Sequence, residues 1–219
     1  MEVFRNHYRG FVAEGISEEI FADAVAEAEI AVREAVREGR FMTIALYRHK
    51  RMLFLYYEAL GTDCAPDAVM AALAPALADC PGEFGMRKWI YMQHIYYHSI
   101  PEDDEDWRRK VKPERRRGRI AWLKKEKHFS YVYHHTAIVN EGLLKGDKYQ
   151  SIALNENILF SYFEEPRSHV NIRRVESEDS EAMKEWLAVD PESHFVREPH
   201  GDNFLFIDSV IEFGEIDLS

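Results

Sequence analysis

Apolar and polar positions follow two different periods along this chain. From Ser17 onward, Ile20, Phe21, Ala24, Val25, Ala28, Ala31, Val32, Ala35 and Val36 recur at helical spacing. Ser17 suits the N-cap of that helix, Glu18 and Glu19 favour its positive end, and Gly39 suits its stop. Residues 4–12 before it predict a short strand. After it, FMTIALY (41–47) and MLFLYYEA (52–59) predict a hairpin that turns at RHKR. APDAVMAALAPALADCPG predicts a second helix, with Pro66 near its first turn and Pro75 kinking it or ending it early. KWIYMQHIYYHSI (88–100), aromatic and β-branched, predicts a strand.

The second half repeats this order. The segment 101–127, acidic at EDDED and basic at RRRGR, has the charge gradient of a helix, interrupted at Pro113. FSYVYHH (129–135) and NILFSYFE (157–164) predict paired strands. SEDSEAMKEWLAV (177–189) predicts a helix, and NFLFIDSVIEF (203–213) a closing strand. KRMLFLYYEAL and ENILFSYFEEP state the repeat most openly: Leu53, Phe54, Tyr56 and Glu58 match Leu159, Phe160, Tyr162 and Glu164 at one offset, 159 − 53 = 106.

The order β-α-β-β-α-β twice is that of a ferredoxin-like unit in tandem. One such unit leaves a sheet face bare, and two in one chain can bury both. The expected fold class is therefore α+β: tandem ferredoxin-like repeats forming an intramolecular α+β barrel, a pseudo-dimer. The first repeat is expected over 1–86 and the second over 87–219. Matching Phe41 to Phe129 gives an offset of 88, which places 18 extra residues (106 − 88) in the second hairpin. That insertion, 136–156, is long enough for a lid or for an ornamental extension.

Composition narrows the partners. The 219 residues carry a net charge of −11, which disfavours nucleic acid and anionic membrane surfaces. No apolar run is long enough to span a bilayer, and the first residues lack a signal-peptide core. Cys64 and Cys80 bracket the second predicted helix, roughly 20 Å apart along it, too far to bridge. Free thiols fit a reducing compartment, so a cytoplasmic protein is expected. Its expected partner is a small molecule, and its expected state a monomer or a homodimer.

The candidate chemistry lies on the predicted strands. His94, Tyr96 and His98 share one face of 88–100, and Tyr131, Tyr133 and His135 one face of 129–135. Tyr162 and Glu164 stand on the neighbouring strand. His98 and His135 are the candidate acid–base pair; His94, Tyr96, Trp107, Tyr131, Tyr133 and Tyr162 are candidate ligand contacts, with rings to stack and polar tips to bind hydroxyls. Singly, each is more often a packed core residue than a ligand contact. No metal is expected, because His94 and His98 on a strand stand roughly 13 Å apart. No cofactor is expected either, since GEFG and EPHGDN lack the strand-to-helix context of a phosphate loop.

IPEDDEDWRRKVKP, WLKKEKHFSYVYHH, NENILFSYFE, AMKEWLAV and FLFIDSVIEF, within 90–212, resemble the L-rhamnose mutarotase family of the dimeric α/β-barrel superfamily. The resemblance implies a sugar-directed isomerase with a histidine and a tyrosine on its first helix. Here those positions hold Val111 and Trp107, and the family's Trp-Trp pair is missing, Trp186 matching only an earlier tryptophan. The resemblance thus implies the fold more firmly than the chemistry. Three functional readings follow: a mutarotase-like isomerase of a hydroxylated compound, a non-catalytic binding or structural protein, or a cofactor-independent monooxygenase-like enzyme acting on an aromatic substrate.

Overall fold

The computed structural model describes residues 1–141, 147–167, 180–197 and 201–218. These form two compact units: Met1–Met92 with Pro101–Lys112 and Asp208–Ser219, and Gln93–Ile100 with Pro113–Ile207. The fold class is α+β.

In the first unit, β1 (Val3–Phe11), α1 (Glu18–Arg37), β2 (Phe41–His49) and β3 (Met52–Leu60) fall where the sequence pattern places them. The Ser17 hydroxyl accepts a hydrogen bond from the Ile20 amide at 3.2 Å, and Gly39 takes the left-handed conformation that stops the helix. The second predicted helix is shorter than expected: one α-turn, α2 (Asp67–Met70), passes into a 3-10 stretch, Ala71–Ala76, that carries Pro75. A small ribbon follows, β4 (Cys80–Gly82) with β5 (Gly85–Arg87), then β6 (Ile90–Tyr91). Strand order is β6-β1-β3-β2, fourth–first–third–second, the arrangement produced when two βαβ crossovers interleave. Phe21, Ala28, Val32 and Val36 of α1 pack on Ile44, Leu46, Leu53, Leu55 and Tyr57. Each of the larger aliphatic or phenyl side chains contributes about 1.5–3 kcal/mol on burial.

The second unit has the same order with different segments. Its first strand is β8 (Arg115–Trp122), inside the stretch expected to be helical. Of that expected helix only α3 (Asp104–Trp107), in the first unit, and a 3-10 turn, Lys125–Lys127, exist. The helical part ends at Trp107, and beyond Pro113 Arg116, Gly118 and Ile120 alternate with Arg117, Arg119 and Ala121 across a strand paired with β10. Residues 129–135, expected as a strand, lie in α4 (His128–Asn140). Tyr131, His134, His135 and Ile138 are its buried face, a 3–4 spacing that overrides the aromatic preference for strands.

The hairpin is then β9 (Ser151–Asn155) and β10 (Ile158–Glu165), followed by α5 (Glu181–Ala188) and β11 (Leu205–Gly214). Part of the segment 136–156 is accordingly the end of α4 and the strand β9, and the hairpin turn is as tight as in the first repeat. The turn residues Lys50 and Glu156, again 106 apart, both have positive φ, 56° and 54°. The order β11-β8-β10-β9 is again fourth–first–third–second.

Residues 88–100, expected as one strand, divide. β6 pairs with β1 in the first unit, while β7 (Gln93–Tyr97) pairs with β9 in the second. β11 divides similarly: Leu205–Ile207 pair with β8, and Asp208–Gly214 with β2. No helix among the described residues is long and apolar enough to cross a membrane, and both cysteines are free thiols.

Candidate functional site

In both repeats the third strand carries Tyr-x-Glu on the face turned away from the helices. Glu58 lies across from Arg5 of β1, and Glu164 across from Arg116 of β8. In both, the tyrosine hydroxyl donates to the glutamate Oε1, Tyr56 to Glu58 and Tyr162 to Glu164, the latter at 2.7 Å. The pair is thus common to both repeats.

Around Glu58 the first unit builds a closed network. The α3 segment supplies Trp107, whose indole Nε1 donates to Glu58 Oε1 at 2.8 Å. Two residues on, the Arg109 guanidinium grips both carboxylate oxygens, Nη2 at 2.8 Å from Oε1 and Nη1 closing on Oε2. Glu58 and Trp107 are wholly buried. His7 packs its ring edgewise on Tyr56, centroids 5.1 Å apart, and the Arg5 guanidinium lies 5.7 Å from the Trp107 ring. Burial alone would raise the Glu58 carboxyl, but the charge and hydrogen bonds of Arg109, with those of Tyr56 and Trp107, outweigh it and hold the group below its ordinary value. Burial, then the Glu58 charge, pushes the Tyr56 phenol far up. Glu58 is therefore an ionised anchor and Tyr56 a permanent donor.

Arg109 also lines a cavity of about 210 Å³ with Met42, Arg108, Glu215 and Ile216. Arg108 is ion-paired with Glu215 at 2.9 Å and Asp104 at 3.3 Å. The volume lies below the ~300–1,000 Å³ of drug-sized pockets, so only a small molecule fits. Both guanidiniums in its wall already hold carboxylates, while Met42 and Ile216 offer apolar contact.

The second unit groups four of the sequence-predicted residues differently. Tyr131 and His135, one turn apart on α4, stack with centroids 3.8 Å apart. Tyr96 meets His135 at 5.5 Å and His98 at 5.1 Å, both edgewise. Trp186 of α5 lies 4.8 Å from both His135 and His194. The Nδ1–H of His135 donates to the Tyr131 carbonyl at 2.9 Å, which leaves Nε2 as the lone-pair nitrogen. Burial depresses this imidazole to about 4, so it is neutral across the physiological range.

The remaining predicted residues fall elsewhere. Tyr133 is on the opposite side of α4, 52% exposed, a correction that follows from α4 being a helix. A β-bulge between His94 and Tyr96 interrupts the alternation that would align His94 with Tyr96 and His98. Trp107 belongs to the Glu58 network, Tyr162 to Glu164. Val111, at the resemblance's histidine position, is 80% exposed. The sequence reading missed Arg109 as a partner of Glu58, although it stands two residues after Trp107 within WRRKVKP. It also missed Trp186 and His194 as neighbours of His135.

No family model matches any part of the chain, and no curated protein matches it. The fine resemblance to rhamnose mutarotases thus has no matching family model, whereas the ferredoxin-like order stands on the strand pairing of each unit. Solved structures similar to the chain include a protein described as a "putative monooxygenase" from Fusobacterium nucleatum subsp. nucleatum, 11% identical, TM-score 0.41, covering 97% of this chain and 94% of that one. A second "putative monooxygenase", from Lactobacillus acidophilus, is 8% identical with a TM-score of 0.39 over 97% and 96%. An anthrone oxidase-like protein is 9% identical with a TM-score of 0.37 over 98% and 97%. Likeness at this level carries no argument about the site.

Proposed function

We propose that the protein binds a small, uncharged, hydroxylated molecule of sugar type in the first unit's cavity. One observation carries this reading: the two guanidiniums in the cavity wall are already neutralised, Arg109 by Glu58 and Arg108 by Glu215. An ionic ligand finds no uncompensated charge there. A polyol needs none, since it takes donors from the guanidinium edges and an acceptor from Glu215, and lays apolar C–H surface on Met42 and Ile216. Recognition suits this lining better than the proton transfer of an isomerase, because Glu58 is ionised and already accepts four hydrogen bonds.

The test is a thermal-shift and calorimetric panel of monosaccharides, sugar acids and aromatic compounds. A ligand at one hundred times its dissociation constant adds about 2.7 kcal/mol, moving the midpoint up by roughly 5–10 °C. Met42→Trp, which fills the cavity, should abolish the shift. An unmoved midpoint across the sugars, or a full response in Met42→Trp, contradicts the proposal.

A second reading has one observation in its favour. The neutral His135, its tautomer set by the Tyr131 carbonyl and its ring among Tyr96, Tyr131 and Trp186, suits a proton acceptor for an aromatic substrate, as a cofactor-independent oxygenase would need. Oxygen consumption with aromatic members of the panel, lost in His135→Gln, would favour it; no consumption dismisses it.

A further inference from the structure

Arg119 of β8 lies on the helix-covered side of the second unit's sheet, directly across from Ser161 of β10. Its guanidinium carbon is 4.4 Å from the centroid of the Phe204 ring and 5.1 Å from that of Phe163. Arg167 lies 4.7 Å from the same Phe163 ring and is held by Asp147 at 3.2 Å and Gln150 at 2.6 Å. No carboxylate of the described residues pairs with Arg119, and its buried Nε has no hydrogen-bond partner among them. Ser161, with no exposed surface, has a hydroxyl in the same condition. Cross-strand partners hold their Cβ atoms about 4.5–5.5 Å apart, so the two stand together. Tyr131, from α4, is near enough for its phenol to respond to the Arg119 charge.

A largely buried guanidinium without a counter-ion is costly. Stacking on two phenyl rings offsets part of that, but it leaves the buried Nε–H without a hydrogen-bond partner among the described residues. Burial first, then the like charge of Arg167, draws Arg119 down to about 10, which is still charged at neutral pH. What surrounds it is donors: a guanidinium fork and a hydroxyl across the strands, with a phenol nearby. We propose that Arg119, with Ser161 opposite and Tyr131 nearby, binds a small oxyanion, the carboxylate or phosphoryl group of a metabolite. This site is independent of the first unit's cavity in residues and in ligand charge.

The experiment is side-chain NMR on arginine-labelled protein, with the Arg119 Nε–H signal assigned by Arg119→Lys. Sodium phosphate and sodium acetate are titrated against sodium chloride at matched ionic strength. The Arg119 signal should move saturably with phosphate, marking a phosphoryl site, or with acetate, marking a carboxylate site, and not with chloride. By calorimetry Arg119→Lys should weaken that binding by about tenfold or more, and Ser161→Ala by about three- to tenfold. The proposal is overturned if the signal ignores both anions, if chloride moves it equally, or if Arg119→Lys binds as the native protein does. The titration of the unsubstituted protein decides the matter should a variant fail to fold.

Discussion

Glu58 and Glu164 occupy the same place in two copies of one strand sequence, each accepting a hydrogen bond from the tyrosine two residues before it. Their settings differ. Glu58 is sealed by Trp107 and Arg109, which a segment from beyond the first repeat's fourth strand brings in. Glu164 keeps Tyr162 and lies opposite Arg116. Along the first strands the copies diverge further, with His7 against Tyr56 where the second copy has Gly118 against Tyr162. A duplicated strand fixes where a carboxylate stands, and the non-repeated segments decide what it does. In the first unit they turn it into the brace for a cavity wall.

Exchanging the carboxylates separates the two settings most strongly. Glu58→Gln leaves Arg109 buried against a neutral amide and should cost about 3–5 kcal/mol. Glu164→Gln should cost less, since the amide oxygen still accepts from Tyr162. Thermal denaturation would show a midpoint drop of roughly 6–20 °C for the first and only a few degrees for the second. Equal losses would erase the distinction.

Acid should also separate the units. The unfolded His135 imidazole takes up its proton near 6.5, the folded one only near 4. Between those values the unfolded state binds more protons, so stability falls as pH drops through this window. The loss is about 3.5 kcal/mol in all, from roughly 2.5 pH units at about 1.4 kcal/mol each. Glu58, whose folded value is depressed, keeps its contribution down to about 4.5 and loses it only below. Hydrogen exchange at pH 5 should therefore show α4 and α5 loosened before β3, and His135→Gln should flatten the loss between pH 6.5 and 4. Uniform protection across both units at pH 5 would contradict this.

Smaller effects sharpen the pairing itself. Tyr56→Phe and Tyr162→Phe each remove one hydrogen bond to a carboxylate and should cost about 1.5–3 kcal/mol, the first more because Glu58 has no access to water. Tyr133→Ala, on the exposed side of α4, should stay within about 0.5 kcal/mol in urea denaturation.

The sequence shows elements well where one face is apolar and the other polar, as in α1 and the β2–β3 hairpin. It misleads where another signal imitates the wrong element. The charge gradient from EDDED to RRRGR looks like a helix dipole, yet beyond Pro113 the residues alternate as β8. α4 is rich in rings and apolar on several sides, so its aromatics read as a strand although Tyr131, His134, His135 and Ile138 already carried helical spacing. The candidate site survived that error in part for a geometric reason. Residues four apart share a face on a strand and on a helix alike, which kept Tyr131 and His135 together, whereas residues two apart share a face only on a strand, which lost Tyr133. Arg109 stayed hidden because its partner is 51 residues away in sequence, a distance no local pattern spans.

The most direct measurement is methyl NMR on methionine-labelled protein, following Met42 in the cavity wall through the sugar panel. A saturable shift of the Met42 signal with one class of uncharged sugar, absent with acetate and with the other methionines unmoved, is the predicted result. A Met42 signal that stays fixed through every sugar, or that moves only with anions, would contradict the account.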